Sequence, residues 1–291
     1  VGSEMCIRDR YNTLPGWLPV LPFQHAIRTF QQHHGEGLPA LQAAQGLFHA
    51  LRESRSQLFE AQPALASRLD GLVDLDPAYL LHEYNHQRWQ PLYANQVIAQ
   101  ARELGLSYIG SASLPDNFDG LLPESFLRQL QQHQDPELRE LVRDLLVNQS
   151  FRRDVYVKGR DPLWQRDAIA ALDELHVLRL ADAESCQEET AFQFRLGFGQ
   201  VQGNRDWFEA LMDQLGDQPV RLAVLREQYA AMSPAELLQN LALLINKDLL
   251  VLVPPGRDPE PARRFNAVVA AAVAAGAPYR SLALPVSGNL H

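Results

Sequence analysis

Apolar residues recur at intervals of three and four along most of this chain, the spacing that places them on one face of a helix. Phe23, Ala26, Ile27 and Phe30 follow this spacing. Asp-Pro and Ser-Pro pairs add helix-start signals, because Asp or Ser caps the helix and Pro suits its first position. Together these signals predict helices near residues 22–34, 39–53, 57–72, 77–90, 94–104, 123–133, 136–148, 162–175, 205–215, 219–230, 233–246 and 260–275.

Shorter stretches alternate between apolar and polar residues, as half-buried strands do. Strands are predicted near residues 106–114, 152–159, 176–181, 191–198 and 249–254. Helices therefore outnumber short strands, and the fold class predicted is α+β, mostly α-helical. The chain shows no internal repeat, and a boundary between two domains is expected between residues 150 and 190.

Length and composition indicate an ordinary globular protein. The chain has 291 residues, of which 46% are hydrophobic and 21% charged, and its formal net charge is −9. A chain with this charge repels phosphate backbones, so no nucleic-acid partner is expected. Two cysteines build no disulfide framework, which favours a reducing, cytoplasmic location. The most apolar run, residues 267–277, is too short to cross a membrane, and no membrane insertion is expected.

The first ten residues, VGSEMCIRDR, are polar and without periodicity. They resemble a translated sequencing adapter. We therefore expect residues 1–10 to be unstructured and exclude them from fold reasoning.

Residues 82–86 read HEYNH and match H-E-x-x-H, the helical motif in which two histidines bind zinc and a glutamate activates water. A third protein ligand is not evident, because Trp89 and Leu92 stand where an extended motif needs Gly and His. Pro91 also limits the helix. A zinc hydrolase is thus one alternative, and hydrogen-bonding roles for His82 and Glu83 are the other.

Residues 194–204, FRLGFGQVQGN, place glycines between a predicted strand and a predicted helix, where a nucleotide-binding loop would lie. The spacing is G-x-G-x-x-x-G, with Gln202 where the dinucleotide motif needs glycine. Residues 219–227, PVRLAVLRE, fit either a second strand or a helix. A nucleotide-binding module at 191–291 therefore stays open beside a plain strand-turn-helix connection.

Three stretches, taken in order, resemble one known family. YNTLPGW (11–17) is similar to the segment that leaves the last recognisable strand of a class I S-adenosylmethionine (SAM)-dependent methyltransferase domain. YLLHEYNHQRWQPLYANQVIAQARELGLSYIGSASL (79–114) and FRRDVYVKG (151–159) resemble motifs of the predicted methyltransferase regulatory domain, as found in bacterial protein-lysine methyltransferases. His86 lies outside the family pattern, so in this comparison the zinc-like motif is accidental. Asn85 and Ala94-Asn95 depart from the pattern in detail.

The resemblance implies a domain layout. Residues 11–20 would be a remnant of the SAM-dependent methyltransferase domain, residues 21–160 the helical regulatory domain, and residues 161–291 an incomplete winged-helix-like C-terminal domain. The cofactor pocket would lie upstream, so the chain would be truncated at both ends and inactive alone. SAM is expected as cofactor of the full-length protein and no cofactor for this fragment. The implied partners are the missing N-terminal SAM-binding domain and a protein substrate.

The same resemblance names site residues. Substrate-cleft candidates are Tyr11, Asn12 and Trp17, with Asn12 orienting an acceptor amine and Trp17 covering an apolar stem; a turn with a packed Trp is the alternative. The structural residues of the family motifs are His82, Glu83, Tyr84, Pro91, Tyr93, Gly105, Tyr108, Phe151 and Arg152. The resemblance implies neither a metal site nor an identified catalytic residue. Helix 233–247 holds a single cation, Lys247, and suits protein contact better than DNA.

Overall fold

The computed structural model describes residues 5–72, 75–85, 89–159, 165–180, 186–216, 218–256, 258–279 and 281–285. Helix dominates these residues, and the strands form small sheets whose assigned pairings are antiparallel, which confirms the α+β, mostly helical class. The chain divides into two compact units. Unit 1 comprises Val1–Gly110 and Arg128–Gly159, and unit 2 comprises Ser111–Leu127 and Arg160–His291.

Unit 1 contains a helical bundle and one sheet. Its elements, together with two that straddle the unit boundary (β2 and α7), are β1 Met5–Asn12, α1 Leu21–His34, α2 Leu38–Glu53, α3 Gln57–Ala61, α4 Pro63–Asp70, α5 Pro77–Tyr84, α6 Ala94–Glu103, β2 Leu106–Ser111, α7 Glu124–Leu130, α8 Pro136–Val147 and β3 Phe151–Lys158. The predicted apolar spacing of α1 is confirmed, because Phe23 and Ile27 are fully buried. They join a cluster with Trp17, Val20, Leu41, Ala44, Phe48, Leu65, Leu80 and Tyr84.

The sheet of unit 1 has the order β1–β3–β2, with β3 in the centre. β1 and β3 are antiparallel, with Tyr11 opposite Arg152 and Asn12 opposite Phe151. Along β3 the residues alternate in burial: Arg152 and Asp154 are buried and Phe151 is exposed. Because successive side chains of a strand point to opposite faces, this sheet has a buried inward face and an exposed outward face.

Three local predictions for unit 1 need correction. Residues 5–10 are not unstructured, because they pair with β3 as part of β1. The single helix predicted at 57–72 is two helices: Gln62 has non-helical dihedrals (φ −133°, ψ 72°), and Pro63, which lacks an N–H, starts α4. The helix predicted at 77–90 ends at Tyr84.

Unit 2 contains α9 Gln165–Asp173, β4 His176–Arg179, β5 Gln193–Leu196, β6 Gly199–Gln202, α10 Arg205–Leu215, β7 Val220–Arg221, α11 Leu222–Gln228, α12 Pro234–Asn246, β8 Leu250–Val253 and α13 Glu260–Ala274. β4 lies between β7 and β8 in one antiparallel sheet, while β5 and β6 form a separate hairpin. Residues 219–227 are therefore mostly helix. The core is lined by Phe192, Phe194, Phe208, Leu211, Leu225, Leu241 and Leu244, among others.

The division differs from the predicted layout in one segment. Residues 111–127 fall within the predicted first domain, yet they belong to unit 2. Leu121 packs against the core of unit 2, and a Cβ added to Gly120 would lie 2.7 Å from the Gln239 side-chain oxygen. No helix in the described part of the chain combines the length and the apolar character that crossing a membrane requires.

Candidate functional site

Residues 11–17 form a segment, here called the clamp segment, that two other parts of unit 1 hold by backbone hydrogen bonds. Thr13 is fully buried; its N–H donates to Ser150 O at 3.0 Å and its hydroxyl to Leu92 O at 2.7 Å. Leu92 N in turn donates to Asn12 O at 3.1 Å, and Leu14 N donates to Leu92 O at 3.0 Å. The segment therefore has one fixed path between residues 92 and 150.

Gly16 is required by a close backbone approach. Its N–H donates to Gln149 O at 2.9 Å, and a Cβ at position 16 would lie 2.6 Å from that same oxygen and 2.7 Å from Ser150 Cα. Real Cβ atoms do not approach backbone this closely, so only glycine fits without a backbone shift. Asn148, in the left-handed region at φ 51°, ends α8 and turns the chain towards this contact.

Trp17 closes the clamp segment as a core residue. Only 6% of it is exposed, and its ring lies 5.7 Å from Tyr84 and 5.6 Å from Trp89, between ring centroids. The Arg68 guanidinium lies 5.0 Å from the same ring. Little of the indole surface is left for a ligand, so the geometry favours the packing role over the substrate-covering role.

Asn12 joins the clamp segment to α5 on the outward face of the sheet. Its Nδ2 donates to Glu83 Oε1 at 2.7 Å, across 71 residues of sequence. The ladder register places Phe151 directly opposite Asn12, and 47% of Phe151 is exposed. Paired residues of antiparallel strands project to the same face, so an amide, a carboxylate and an exposed ring lie close together.

The inward face of the same strands carries a buried polar group, here called the carboxylate network. It comprises Arg152, three carboxylates and several tyrosine hydroxyls. Arg152 donates from Nη1 to Asp144 Oδ1 at 2.7 Å, from Nη2 to Glu140 Oε2 at 2.7 Å and from Nε to Asp154 Oδ1 at 3.0 Å. The hydroxyl of Tyr11 donates to Asp154 Oδ2 at 2.6 Å, while the Tyr108 hydroxyl accepts from Arg152 at 2.9 Å.

Three carboxylates contact Arg152 in this network, and one of them, Glu140, also lies 3.8 Å from Arg143 Nε. Burial raises the pKa of Asp144 to about 7, although Arg152 opposes the shift. Burial also raises the pKa of Asp154, again against Arg152. Among the described residues Asp144 Oδ2 is buried without a hydrogen-bond partner. The cause is desolvation, which disfavours the charged form of a buried acid and here outweighs the attraction of Arg152.

The predicted site residues thus separate into two groups. Asn12, Glu83 and Phe151 meet on the outward face, whereas Tyr11, Tyr108 and Arg152 meet inside the network. The hydroxyl of Tyr11 binds the buried Asp154, so the Tyr11 side chain lies on the inward face, opposite to that of Asn12. Tyr84 is buried and Pro91 is buried. His82 is exposed on α5, Tyr93 is the N-cap of α6, and Gly105 follows α6 at φ +73°.

The sequence did not point to Thr13, Glu140, Asp144 or Asp154. Charged and hydroxyl residues are mostly exposed in proteins, so their types predict surface positions. The one signal was spacing, since Glu140 and Asp144 lie four residues apart on α8 and therefore on one face.

The zinc alternative finds little support. The motif needs one helix that carries both histidines, yet α5 ends at Tyr84, and His86 lies outside the described residues. Glu83 Oε1 already accepts from Asn12. Within the described ranges no group of three His, Cys, Asp or Glu side chains is arranged to hold a metal ion.

The glycine-rich stretch is not a nucleotide-binding loop. β5 and β6 pair as an antiparallel hairpin, with Gly199 opposite Leu196, so the first glycines lie in a strand-to-strand turn. Gly203 lies beneath an aromatic ring: a Cβ there would be 2.2 Å from Phe208. Both the nucleotide-binding loop and the strand-turn-helix connection require β5 to lead directly into α10. The second strand, β6, lies between them, so both predictions are wrong.

Comparisons with known proteins agree with the motif order. Residues 76–158 match the family model of the predicted methyltransferase regulatory domain. An uncharacterised protein of Synechocystis sp. is 30% identical over 219 residues, which are 75% of this chain and 42% of that protein. The chain thus spans less than half the length of this relative.

Two solved structures share the fold. The structure of PKMT2 from Rickettsia typhi in complex with AdoHcy is 18% identical, with a TM-score of 0.58 over 98% of this chain and 61% of PKMT2. A second structure of PKMT2 is 21% identical, with a TM-score of 0.52 over 85% of this chain and 52% of that one.

Proposed function

We propose that this chain is the regulatory and substrate-positioning region of a SAM-dependent methyltransferase. The premise is that residues 76–158 are a predicted methyltransferase regulatory domain. The methyl acceptor is a lysine side chain of a protein substrate. The likeness to PKMT2, whose structure contains AdoHcy, supports the fold on which this proposal rests.

The observation that carries the proposal is the fixed path of the clamp segment. Thr13 and Gly16 are held by backbone atoms of residues 92, 149 and 150, which belong to the regulatory domain. Methyl transfer requires the acceptor nitrogen to lie in line with the donor carbon at about 3–3.5 Å, and a misplacement of about 1 Å can slow the reaction about 100-fold. A segment held this tightly gives Asn12 one position, as an acceptor-orienting residue needs.

A SAM-binding domain is the partner that this proposal requires. Among the described residues, the one stretch whose glycines suggested a nucleotide site does not have the geometry of such a site. The stretch that would cradle the nucleotide is a hairpin, and the space beside Gly203 is filled by Phe208. We therefore assign this chain the walls of the active site and assign SAM binding to the partner domain.

The second unit fits a winged-helix-like role in protein contact. Its order α10, β7, α11, α12, β8, with β4 as the central strand, supports this assignment. α12 lacks the basic surface that a DNA-reading helix needs. Lys247 is the cation that follows α12. Its ammonium donates to the backbone carbonyls of Ala191 at 2.7 Å and Gln193 at 3.2 Å, so its charge points towards the protein and not towards a ligand of this helix.

The test is a chimera in which this chain replaces the region of PKMT2 that it matches. We expect the chimera to bind AdoHcy and to transfer labelled methyl groups from SAM to lysine, while calorimetry of this chain alone detects no AdoHcy binding. Thr13→Val, which removes the hydroxyl bond to Leu92, should lower the transfer rate. Thr29→Val is the matched control, because Thr29 makes the same kind of bond to His25 on an exposed helix face.

Two outcomes would contradict the proposal. One is micromolar AdoHcy binding by this chain alone, which would place the cofactor site within it. The other is a chimera that folds and binds AdoHcy yet methylates no lysine in any protein offered to it.

A further inference from the structure

The outward face of the sheet in unit 1 ends in three side chains with complementary chemistry. Asn12 Nδ2 donates to Glu83 Oε1 at 2.7 Å, which fixes both side chains. The remaining oxygens, Asn12 Oδ1 and Glu83 Oε2, have no hydrogen-bond partner among the described residues. Phe151, the direct cross-strand neighbour of Asn12, leaves 47% of its surface exposed beside them.

We propose that Asn12, Glu83 and Phe151 form the binding site for the lysine side chain that is methylated. The ring of Phe151 covers the apolar stem, and Asn12 Oδ1 and Glu83 Oε2 accept hydrogen bonds from the terminal nitrogen. This proposal rests on the proposed function and names residues of the acceptor site within it. It also assigns the covering of the stem to Phe151, since Trp17 is packed in the core.

The donor and acceptor inventory fits a primary amine. A lysine nitrogen carries N–H donors and, when charged, no acceptor, so it needs oxygens and gains most from a carboxylate. A neutral amine directs two N–H bonds at the same two oxygens, which leaves its lone pair pointing away from them. The two oxygens thereby orient the nitrogen so that its lone pair can attack the methyl carbon of a sulfonium donor on its open side, where the N–C bond forms as the S–C bond breaks.

Asn12 and Glu83 are each held in place by their neighbours. Asn12 precedes Thr13, which is fully buried and bonded to residues 92 and 150. Glu83 lies on α5, whose Leu80 and Tyr84 are buried in the bundle. The next outward pair along the ladder is Arg10 opposite Arg153. Glu83 therefore supplies the negative charge at the end of an otherwise basic strand pair.

The test on this chain uses two small probes in an NMR titration. N-acetyl-lysine-N-methylamide carries the stem and the nitrogen, and N-acetyl-norleucine-N-methylamide carries the stem alone. We expect the lysine probe to shift the Asn12 side-chain NH₂ and the Phe151 ring, and the norleucine probe to shift only the Phe151 ring. Glu83→Gln should weaken lysine binding about tenfold, the value of one charge-assisted contact, without changing norleucine binding.

Two further variants keep the test decisive. Glu60→Gln is the matched control, because Glu60 is an exposed glutamate of the same bundle that accepts from Gln57. Phe151→Ala removes an exposed ring and should weaken both probes while the melting temperature stays unchanged. Equal lysine affinity in wild type and Glu83→Gln, or shifts that bypass Asn12 and Phe151, would overturn the proposal.

The chimera separates this proposal from the proposed function. If the chimera methylates lysine and Glu83→Gln leaves its KM for the substrate unchanged, the acceptor site lies elsewhere and the proposed function stands. If the chimera folds and methylates nothing while this chain binds the lysine probe at Asn12, the proposed function fails.

Discussion

Asp144→Asn should remove most of a pH dependence that is built into unit 1. The residue is 1% exposed, its Oδ1 accepts from Arg152 at 2.7 Å, and burial raises its pKa from 3.8 to about 7. Asparagine keeps an oxygen for Arg152 and removes the buried charge. The guanidinium keeps Glu140 and Asp154 as partners, so no cation is left alone.

The sign follows from proton uptake. An acid whose pKa is higher in the folded state binds a proton on folding, so its contribution to stability is complete below about pH 4 and is lost as the pH rises to 7. A difference of about three pKa units corresponds to about 4 kcal/mol at 1.36 kcal/mol each. Structural relaxation around the buried charge lowers the contribution below this upper figure.

Amide hydrogen exchange of peptides from α8 and β3, measured from pH 5 to 8, reports the stability of unit 1 by itself. We expect wild-type stability to fall across this range and Asp144→Asn to flatten the fall, with a residual slope from Asp154. The variant should be the more stable protein at pH 8 by about 2 kcal/mol, half of the upper figure. Asp213→Asn, at an exposed position of α10, is the control. A variant that keeps the wild-type slope, or is less stable at pH 8, would refute the reasoning.

Two further substitutions each test one local contact. Stability is measured by urea unfolding, and each substitution has a matched control. Gly16→Ala should destabilise unit 1 by about 3 kcal/mol, because the new Cβ would lie 2.6 Å from Gln149 O. Gly46→Ala on α2, with nothing within 4 Å, should be neutral or stabilising. Lys247→Met should destabilise unit 2 by about 2 kcal/mol, since three hydrogen bonds from the ammonium to backbone carbonyls are lost. Lys158→Met, at an exposed strand end, should change stability little, and equal losses at positions 247 and 158 would contradict the account.

The helices were predictable because their signals are local. Pro136 and Pro234, each preceded by a capping Asp or Ser, start α8 and α12 where the sequence placed them. Boundaries were less certain where two signals competed, as in residues 57–72. The apolar period runs through this stretch, but Pro63 cannot donate the hydrogen bond that a continuous helix needs.

β3 shows where local pattern fails. Its outward residues, Phe151, Arg153, Val155 and Val157, are more apolar than its inward ones, so hydropathy alone predicts burial of the wrong face. The inward face is the more buried because α6 and α8 cover it. Arg152 and Asp154 can be buried there because they form hydrogen bonds with each other. That pairing depends on partners from distant parts of the chain.

The sequence by itself determined most of the helices, the fold class and the order of motifs that identifies residues 76–158, because propensity, capping and motif spacing are properties of neighbouring residues. Only the tertiary structure decided which motif residues meet. It placed Asn12 against Glu83, 71 positions away, and Tyr11 against Asp154, 143 positions away. The physical reason is that alternation along one strand sends adjacent side chains to opposite faces, where different elements meet them.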